Sequence, residues 1–412
     1  MRHLYSFIVV LTWQILKLIG FVNPKISKFV NGRNEVVKSL KVQFTKSDRI
    51  IWIHAASLGE YEQGLPILVE LKKEYPRHKI LLTFFSPSGY EVKKNSSPAD
   101  LTTYLPVDSP RNVNSFLDAA RPELAIFIKY EIWPNYLFAL ERRGIPRILI
   151  SARFSTDKIY FKNYGGFMRK AIQKFSHIYV QDKQSLELLE GIKTKNVSIA
   201  GDTRLDRVLE ILKRDNTLEF VNSFCDGNNC LVAGSTWPDD ERILTNYINQ
   251  APKDLKFIIA PHTIKEGPIN HLFQSIQKKT ELYSIISQKT KDDTQVLIID
   301  SIGLLTKIYS YATVAYVGGG FATGLHNTLE PAVFGIPVII GPNYKGFLEA
   351  EDLVKLGGIL PITDEKAFKS VVDQLLHDSR TSQKIGQINS QYILNNKGAS
   401  VQIMEGIRTY LK

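Results

Sequence analysis

The sequence predicts an α/β protein built from two tandem doubly wound domains. Apolar, strand-like runs alternate with helical patterns over residues 50–201, and a second alternating series occupies residues 231–340. Such alternation is typical of parallel sheets with helices on both faces. The stretch 202–229 has a different character and ends in a polar run. At 412 residues the chain is also too long for one ordinary core.

Each predicted strand is a short apolar run bounded by turn residues or by a helical pattern. The strands are 50–55, 80–85, 102–107, 124–128, 147–151, 178–181 and 197–200, then 231–235, 256–260, 296–299, 314–317 and 337–340. Helices are clearest at 65–75 and 136–143, and residues 365–412 are predicted to be helical. We therefore predict a first Rossmann-like domain at 49–213, a linker at 214–229 and a second such domain at 230–412, which includes the C-terminal helices.

A 19-residue apolar run from Leu4 to Val22 precedes the first domain and is broken by Thr12, Gln14 and Lys17. Its length approaches that needed to span a bilayer, but the polar breaks fit an in-plane or shallowly inserted helix about as well. The alternative is a buried amphipathic helix of a soluble domain. No small-residue cleavage site follows, which argues against a cleaved signal peptide.

The net charge of +11 is concentrated near the start of the chain. Residues 1–48 carry eight Lys and Arg against two Asp and Glu. Anionic lipid explains this excess better than nucleic acid, because no stacking aromatics are interleaved with the cations. Six of the cations follow the apolar run, which predicts that the domains lie on the cytoplasmic side of the membrane. Residues 1–48 are thus predicted to be a membrane-associated helix and basic segment.

The first predicted strand ends in the sequence His-Ala-Ala-Ser-Leu-Gly-Glu at 54–60. Parallel sheets bind ligands outside the carboxyl ends of their strands, and Glu60 follows this strand by a few residues. Glu60 is therefore the candidate catalytic base. The alternative is a solvated charge at a helix N-terminus.

This segment resembles the His-Ala-x-Ser-x-Gly-Glu motif of the 3-deoxy-D-manno-octulosonic acid (Kdo) transferases of lipopolysaccharide synthesis. Further segments resemble the same family in the same order: Glu-Ile-Trp-Pro-Asn at 131–135, His-Asn-Thr-Leu-Glu-Pro-Ala at 326–332 and Pro-Val-Ile-Ile-Gly-Pro at 337–342. The resemblance covers essentially the whole chain. It implies the GT-B architecture, in which an interdomain cleft separates an acceptor domain from a nucleotide-sugar domain.

Two more residues of the first half are catalytic candidates. Glu131 follows a strand as Glu60 does, so the two can converge as a carboxylate pair, although Glu131 can also be a helix N-terminal charge. The resemblance implies a role for Glu131 in the transition state or in positioning the acceptor. Arg204 stands where the family commonly has a Lys that stabilises the transition state. Its planar guanidinium keeps the charge and changes the geometry.

A Gly-rich loop at 318–320 follows a strand, and a helix is predicted to begin soon after it. Glycines let backbone approach a ligand, and a helix start offers N–H groups to a phosphate. The resemblance implies that CMP is bound by Pro261, His262, Ile302, Gly303, Leu304, Asn327, Thr328, Leu329 and Glu330. It places Glu330 on the ribose hydroxyls. Many family members have Glu where Leu304 stands, so only backbone contacts are expected there, and a strand-end His such as His262 can also be purely structural.

The function implied by the resemblance is inverting transfer of Kdo from CMP-Kdo to a lipid A precursor of the lipid IVA type. Glu60 would deprotonate the acceptor, while Arg204 and Asn327 would offset charge on the departing CMP. No Asp-x-Asp motif stands at a strand-end loop of the second half, so we expect no metal or other cofactor. One alternative is another GT-B glycosyltransferase or an epimerase that uses a UDP-sugar. A second alternative is a non-catalytic lipid- or sugar-binding protein. Such a function would not explain why Glu60, Glu131 and Arg204 occur together.

Overall fold

The computed structural model of the chain describes residues 1–286, 293–322 and 324–411, so Thr323 of the Gly-rich segment lies outside the described residues. The chain folds into two compact units, unit 1 with Met1–Asp206 and Lys397–Lys412, and unit 2 with Arg207–Asn396. Each unit contains a seven-stranded parallel sheet. This confirms the predicted pair of doubly wound α/β domains.

The sheet of unit 1 has the strand order β3-β2-β1-β4-β5-β6-β7. Its strands are β1 (Arg49–Ala55), β2 (His78–Phe84), β3 (Leu101–Tyr104), β4 (Pro122–Ile128), β5 (Arg147–Ala152), β6 (His177–Val180) and β7 (Val197–Ile199). The order reverses between β1 and β4, which are hydrogen-bonded neighbours. The crevice outside the carboxyl ends of these two strands is where such sheets bind ligands.

The sheet of unit 2 has the order β10-β11-β9-β8-β12-β13-β14. Its strands are β8 (Cys230–Thr236), β9 (Lys256–Pro261), β10 (Thr280–Leu282), β11 (Val296–Ile298), β12 (Val314–Val317), β13 (Val338–Ile340) and β14 (Ile359–Pro361). Its order reverses between β8 and β12. All twelve predicted strands are present in the two sheets, while the edge strands β10 and β14 were not predicted.

Helices connect the strands and cover the sheets. In chain order they are α1 (Arg2–Ile19), α2 (Pro24–Asn31), α3 (Val36–Gln43), α4 (Leu58–Glu74), α5 (Pro87–Lys93), α6 (Pro110–Ala120), α7 (Pro134–Arg142), α8 (Gly166–Ile172), α9 (Lys183–Gly191), α10 (Thr203–Leu212), α11 (Glu219–Cys225), α12 (Pro238–Gln250), α13 (Glu266–Ser275), α14 (Leu305–Ile308), α15 (Leu329–Ala332), α16 (Leu348–Leu356), α17 (Glu365–His377), α18 (Ser379–Asn395) and α19 (Ala399–Arg408). Short 3-10 helices lie at Ile159–Phe161 and Tyr309–Tyr311.

Helix α4 begins at Leu58, seven residues before the predicted start, so Glu60 lies in its first turn. Packing against the sheet outweighs the low helix propensity of Pro66 inside the helix. Gly64 permits the close approach, because a Cβ there would lie 2.2 Å from Cδ1 of Ile128 in β4.

The C-terminal helix α19 belongs to unit 1, although the sequence-based division assigned residues 230–412 to one domain. The Asp206 carboxylate accepts hydrogen bonds from the backbone N–H groups of Gly398 and Ser400, both at 2.6 Å. Ile403 is fully buried in the core of unit 1. An amphipathic pattern indicates that a helix covers a sheet and does not indicate which sheet it covers.

Helix α1 lies on unit 1 without any buried residue of its own. Arg2 Nε donates to Asn135 Oδ1 at 3.0 Å, and Tyr5 Oη donates to Asp108 Oδ2 at 2.9 Å. On the outside, large apolar side chains are exposed, which excludes the fully buried amphipathic helix; they include Leu4, Phe7, Ile8, Leu11, Ile15 and Leu18. Among the described helices, none combines the length and the apolar character that crossing a bilayer requires.

Candidate active site

Glu60 lies at the reversal of strand order in unit 1. It follows β1 by five residues and occupies the first turn of α4, where it is half-buried. Ser57, which precedes α4 in extended conformation, donates its hydroxyl hydrogen bond to the Glu60 carboxylate. This position beside the crevice suits a group that takes a proton from a bound ligand.

Glu131 is buried and hydrogen-bonded to two side chains. Its Oε2 lies 2.9 Å from His54 Nε2 and accepts a hydrogen bond from Trp133 Nε1 at 2.8 Å. His54 is the penultimate residue of β1, and Glu131 follows β4, so the contact joins the two strands at the reversal. These contacts fix the orientation of the Glu131 carboxylate. The suggested pairing of Glu131 with Glu60 stays a prediction.

His54 is held from its other side by strand β2. Its Nδ1 lies 2.9 Å from Thr83 Oγ1, which also accepts a hydrogen bond from Trp52 Nε1 at 2.8 Å. All three side chains are fully buried. The sequence analysis quoted His54 in its motif without assigning it a role. The pattern that could have indicated a role for His54 is a histidine near the end of an otherwise apolar strand.

Arg204 lies in the first turn of α10, after the edge strand β7. Its guanidinium forms an ion pair with Asp202, with 2.6 Å between Nη2 and Oδ2. The neighbouring Thr203 is fully buried, lies 3.0 Å from Ser151 Oγ and donates to the backbone carbonyl of Gln63 in α4. Thr203 therefore links the start of α10, which follows the edge strand β7, to helix α4, which carries Glu60.

In unit 2, the Gly-rich loop after β12 is held by Asp240 of α12. The fully buried Asp240 carboxylate accepts hydrogen bonds from Gly319 N and Trp237 N, both at 2.9 Å, and from Tyr316 Oη at 2.6 Å. Burial raises the pKa of Asp240, and these hydrogen bonds oppose the rise. Gly319 has φ +91°, a conformation that favours glycine. The sequence analysis did not identify Asp240.

Three aromatic rings stack beside this loop. Trp237 Nε1 donates to His326 Nε2 at 2.9 Å, and the exposed His262 stacks on the Trp237 ring with 4.6 Å between centroids. Burial, followed by the charge of His262, lowers the pKa of His326 to about 4. His326 is therefore neutral near pH 7, and its Nε2 acts as the acceptor.

Glu330 accepts hydrogen bonds that hold the segment at the start of α15. Asn327 Nδ2 donates to Glu330 Oε1 at 3.0 Å, and Thr306 Oγ1 donates to Glu330 Oε2 at 2.9 Å. Thr328 and Leu329 are buried. Helix α15 has only four residues, so Asn327 precedes a single helical turn.

The remaining predicted CMP residues also follow strands of the second sheet. Pro261 is the last residue of β9, and His262 follows it. The segment 302–304 lies between β11 and α14, with Ile302 exposed and Gly303 at φ +95°. Pro261 ends β9, whereas the other eight residues follow β9, β11 or β12 in the chain. Strands β11, β9, β8 and β12 lie side by side in the parallel sheet, with β8 between β9 and β12. Across the described residues, no group of three or more His, Cys, Asp or Glu forms a metal site.

Comparison with known proteins places the chain in a family. Residues 30–207 match the family described as 3-deoxy-D-manno-octulosonic-acid transferase (kdotransferase). The 3-deoxy-D-manno-octulosonic acid transferase of Aquifex aeolicus is 31% identical over 314 residues, which cover 73% of this chain and 80% of that protein. The chain belongs to the Kdo transferase family. It is therefore a glycosyltransferase of lipopolysaccharide synthesis.

Two further comparisons agree with this membership. The Kdo transferase of Haemophilus influenzae is 28% identical over 381 residues, covering 88% of this chain and 87% of that protein. Among solved structures, the UDP-GlcNAc 2-epimerase of Neisseria meningitidis superposes with a TM-score of 0.59 at 15% identity, covering 88% of this chain and all of that one. At this identity the epimerase is evidence for the two-domain fold alone. The family, and not the fold, separates this Kdo transferase from the epimerases.

Proposed function

We propose that this Kdo transferase moves Kdo from CMP-Kdo to a lipid A precursor of the lipid IVA type, with Glu60 as the general base. The observation that carries the proposal is the position of Glu60, beside the crevice of the first sheet and in the motif His54–Glu60 that the family shares. A general base must lie within hydrogen-bond reach of the proton that it removes. The half-buried carboxylate in the first turn of α4 is suited to that requirement.

The proposed reaction is a direct displacement with inversion. Glu60 takes the proton of an acceptor hydroxyl as its oxygen forms a bond to the anomeric carbon of Kdo. The bond from that carbon to the phosphate oxygen breaks, and CMP departs with the electron pair. Charge on the departing phosphate needs electrostatic stabilisation, which the proposal assigns to Arg204 and Asn327 without a metal. Glu131 acts in this proposal by positioning, because its carboxylate is already bonded to His54 and Trp133.

The proposal also places the enzyme on the cytoplasmic face of the inner membrane. The exposed apolar side chains of α1 and the basic segment up to residue 48 support this placement. An in-plane helix of this kind binds by burying apolar area and by attracting anionic lipid. A lipid acceptor would then reach the enzyme from the membrane in which it resides.

The test is a transfer assay with purified full-length protein in detergent. CMP-Kdo is generated in the assay, the acceptor is a tetraacylated, bisphosphorylated lipid A precursor, and a chelator is present. We expect a lipid product whose mass has increased by one or more Kdo residues, together with inhibition by CMP and not by UDP. Folded protein that binds CMP but makes no product would refute the proposed acceptor. Inhibition by UDP alone would refute the donor, and activity that needs added metal would refute the metal-free mechanism.

A further inference from the structure

Two lysine ammonium groups lie beside the ring of Tyr130 in unit 1. Lys129 Nζ lies 5.4 Å from the ring centroid, and Lys158 Nζ lies 5.8 Å from it. Arg153 follows β5 directly, as Lys129 follows β4. The three cations and Tyr130 are called the Tyr130 cluster below. Tyr130 itself is 39% exposed, so the cluster is open to a ligand.

The cluster lies beside Glu60. Strands β1, β4 and β5 are neighbours in the parallel sheet, so the turns that carry Glu60, Lys129 and Arg153 meet at one edge. Burial raises the pKa of Tyr130; Arg153 and Lys158 oppose that rise, while Asp182 and Glu60 add to it. The charges of Glu60, Arg153 and Lys158 therefore act on the same hydroxyl group.

The cations keep donor capacity for a ligand. Arg153 Nε lies 3.4 Å from Asp182 Oδ2, which leaves the two terminal nitrogens of the guanidinium. Lys158 forms only an exposed pair with its chain neighbour Asp157, and such pairs contribute little. Within the described residues, no carboxylate lies within ion-pair distance of Lys129.

Lys129 also has an uncommon backbone conformation. Its φ is +65°, in the left-handed region that non-glycine residues adopt at an energetic cost. Its N–H donates to the carbonyl of Ile150 in β5, which holds this conformation in place. Strain of this kind is concentrated at functional sites, and Lys129 directly follows β4, the neighbour of the strand that Glu60 follows.

We propose that Lys129, Arg153 and Lys158 bind a phosphate monoester of the acceptor, close to the hydroxyl that Glu60 deprotonates. The inference rests on the proposed function, because it takes Glu60 as the base. Two ammonium groups beside one exposed ring, with a guanidinium after the adjacent strand, suit a compact anion with several acceptor oxygens. The acceptor is thus a phosphorylated sugar lipid whose phosphate fixes the orientation of the attacking hydroxyl.

The test compares two acceptors by equilibrium binding without donor: a short-chain bisphosphorylated lipid A precursor and the same lipid after phosphatase treatment. Lys129→Gln removes the unpaired charge, and Lys193→Gln is the matched control, because Lys193 is exposed and also left-handed, with φ +58°. We expect Lys129→Gln to weaken binding of the phosphorylated lipid about tenfold, as for a lost hydrogen bond to a charged group. Binding of the dephosphorylated lipid should change less than about twofold, and the control should match the wild type.

Three outcomes distinguish this inference from the function on which it rests. Equal affinity of the wild type for both lipids, or equal weakening of both by Lys129→Gln, would overturn the phosphate site while Kdo transfer could still be observed. A phosphate preference that Lys129→Gln abolishes, in a protein that transfers no Kdo, would support the site and refute the proposed function. Transfer assays should agree, with the loss in Lys129→Gln confined to kcat/KM for the phosphorylated acceptor and no change in KM for the donor.

Discussion

His54 Nε2 and Glu131 Oε2 lie 2.9 Å apart and join the ends of strands β1 and β4. The contact lies at the reversal of strand order, and His54 is six residues before Glu60 in the same strand and turn. It therefore holds Glu131, the second carboxylate that the sequence singled out in this half of the chain, against the strand that leads to Glu60. Glu131 is held in place by this contact and by Trp133.

We predict that His54 and Glu131 are energetically coupled. Removing one partner of a buried hydrogen bond costs about 1–3 kcal/mol, and more where the remaining group is charged, because that group stays buried without a partner. We expect His54→Ala and Glu131→Ala each to lower the free energy of unfolding by about 2–4 kcal/mol, and the double variant to lose about 1–3 kcal/mol less than the sum. Urea unfolding of the full-length protein measures all four forms, and additive losses would contradict the coupling.

Glu60→Gln should abolish most of the turnover and leave CMP binding intact. The substitution keeps the shape and removes the basic oxygen, so kcat should fall about 10²–10⁴-fold, as for loss of a general base. Steady-state transfer assays and calorimetric titration with CMP separate the two properties. Glu62→Gln is the control, since Glu62 lies two residues further along α4 and pairs with Lys93. Near-normal turnover of folded Glu60→Gln would show that another group is the base.

Asp206→Ala should loosen the C-terminal helix α19. The substitution removes the acceptor of the N–H groups of Gly398 and Ser400 at the start of that helix, which costs about 1 kcal/mol. We expect faster hydrogen exchange over residues 399–408 and little change in the sheet of unit 1. Glu210→Ala, an exposed change on the same helix α10, serves as the control and should leave this exchange unchanged. Unaltered exchange in Asp206→Ala would mean that core packing alone holds α19.

The stability contribution of Asp108 should depend on pH. Burial raises the pKa of Asp108 from 3.8 to about 6, although hydrogen bonds from Asn135, Tyr5 and Tyr136 oppose the rise. The folded state thus binds more protons than the unfolded state between about pH 4 and 6, so this contribution decreases as pH rises through that range. The stability of the wild type relative to Asp108→Asn should fall by up to about 1.4 kcal/mol per pH unit there. A pH-independent difference in urea unfolding would contradict the raised pKa.

Most of the strands that the sequence predicted are buried in the sheets, although the predicted edge strand β7 has no buried residue. Trp52 and Phe127 face one side of the first sheet and Ile53 and Ile126 the other, all fully buried or nearly so. Such strands appear in the sequence as continuous apolar runs. The edge strands β10 and β14 have three residues each, and β14 ends in a proline, which edge positions tolerate. Neither strand is a continuous buried apolar run, since β10 has no buried residue and β14 has one.

The proposed site divides in the same way. Glu60, Glu131 and residues 327–330 follow strands and lie in short motifs, so the sequence singles them out, and their roles stay predictions. Asp240 and Trp237 could not be found, because their roles arise from contacts with Gly319 and His326, which lie 79 and 89 residues away in the chain. Contacts between residues so far apart in the chain produce no local sequence pattern from which they could be predicted.

By itself, the sequence determined the two parallel sheets, the family and the acidic residue at the end of the first strand, because hydrophobic periodicity and short motifs are local properties of the chain. Tertiary structure alone decided that α19 packs in unit 1, that His54 holds Glu131 and that Lys129 lies beside Tyr130. These features depend on which buried groups and charges meet when distant segments pack together. The interaction energies arise from pairs of residues that are distant in the chain, so a pattern within one segment cannot indicate them.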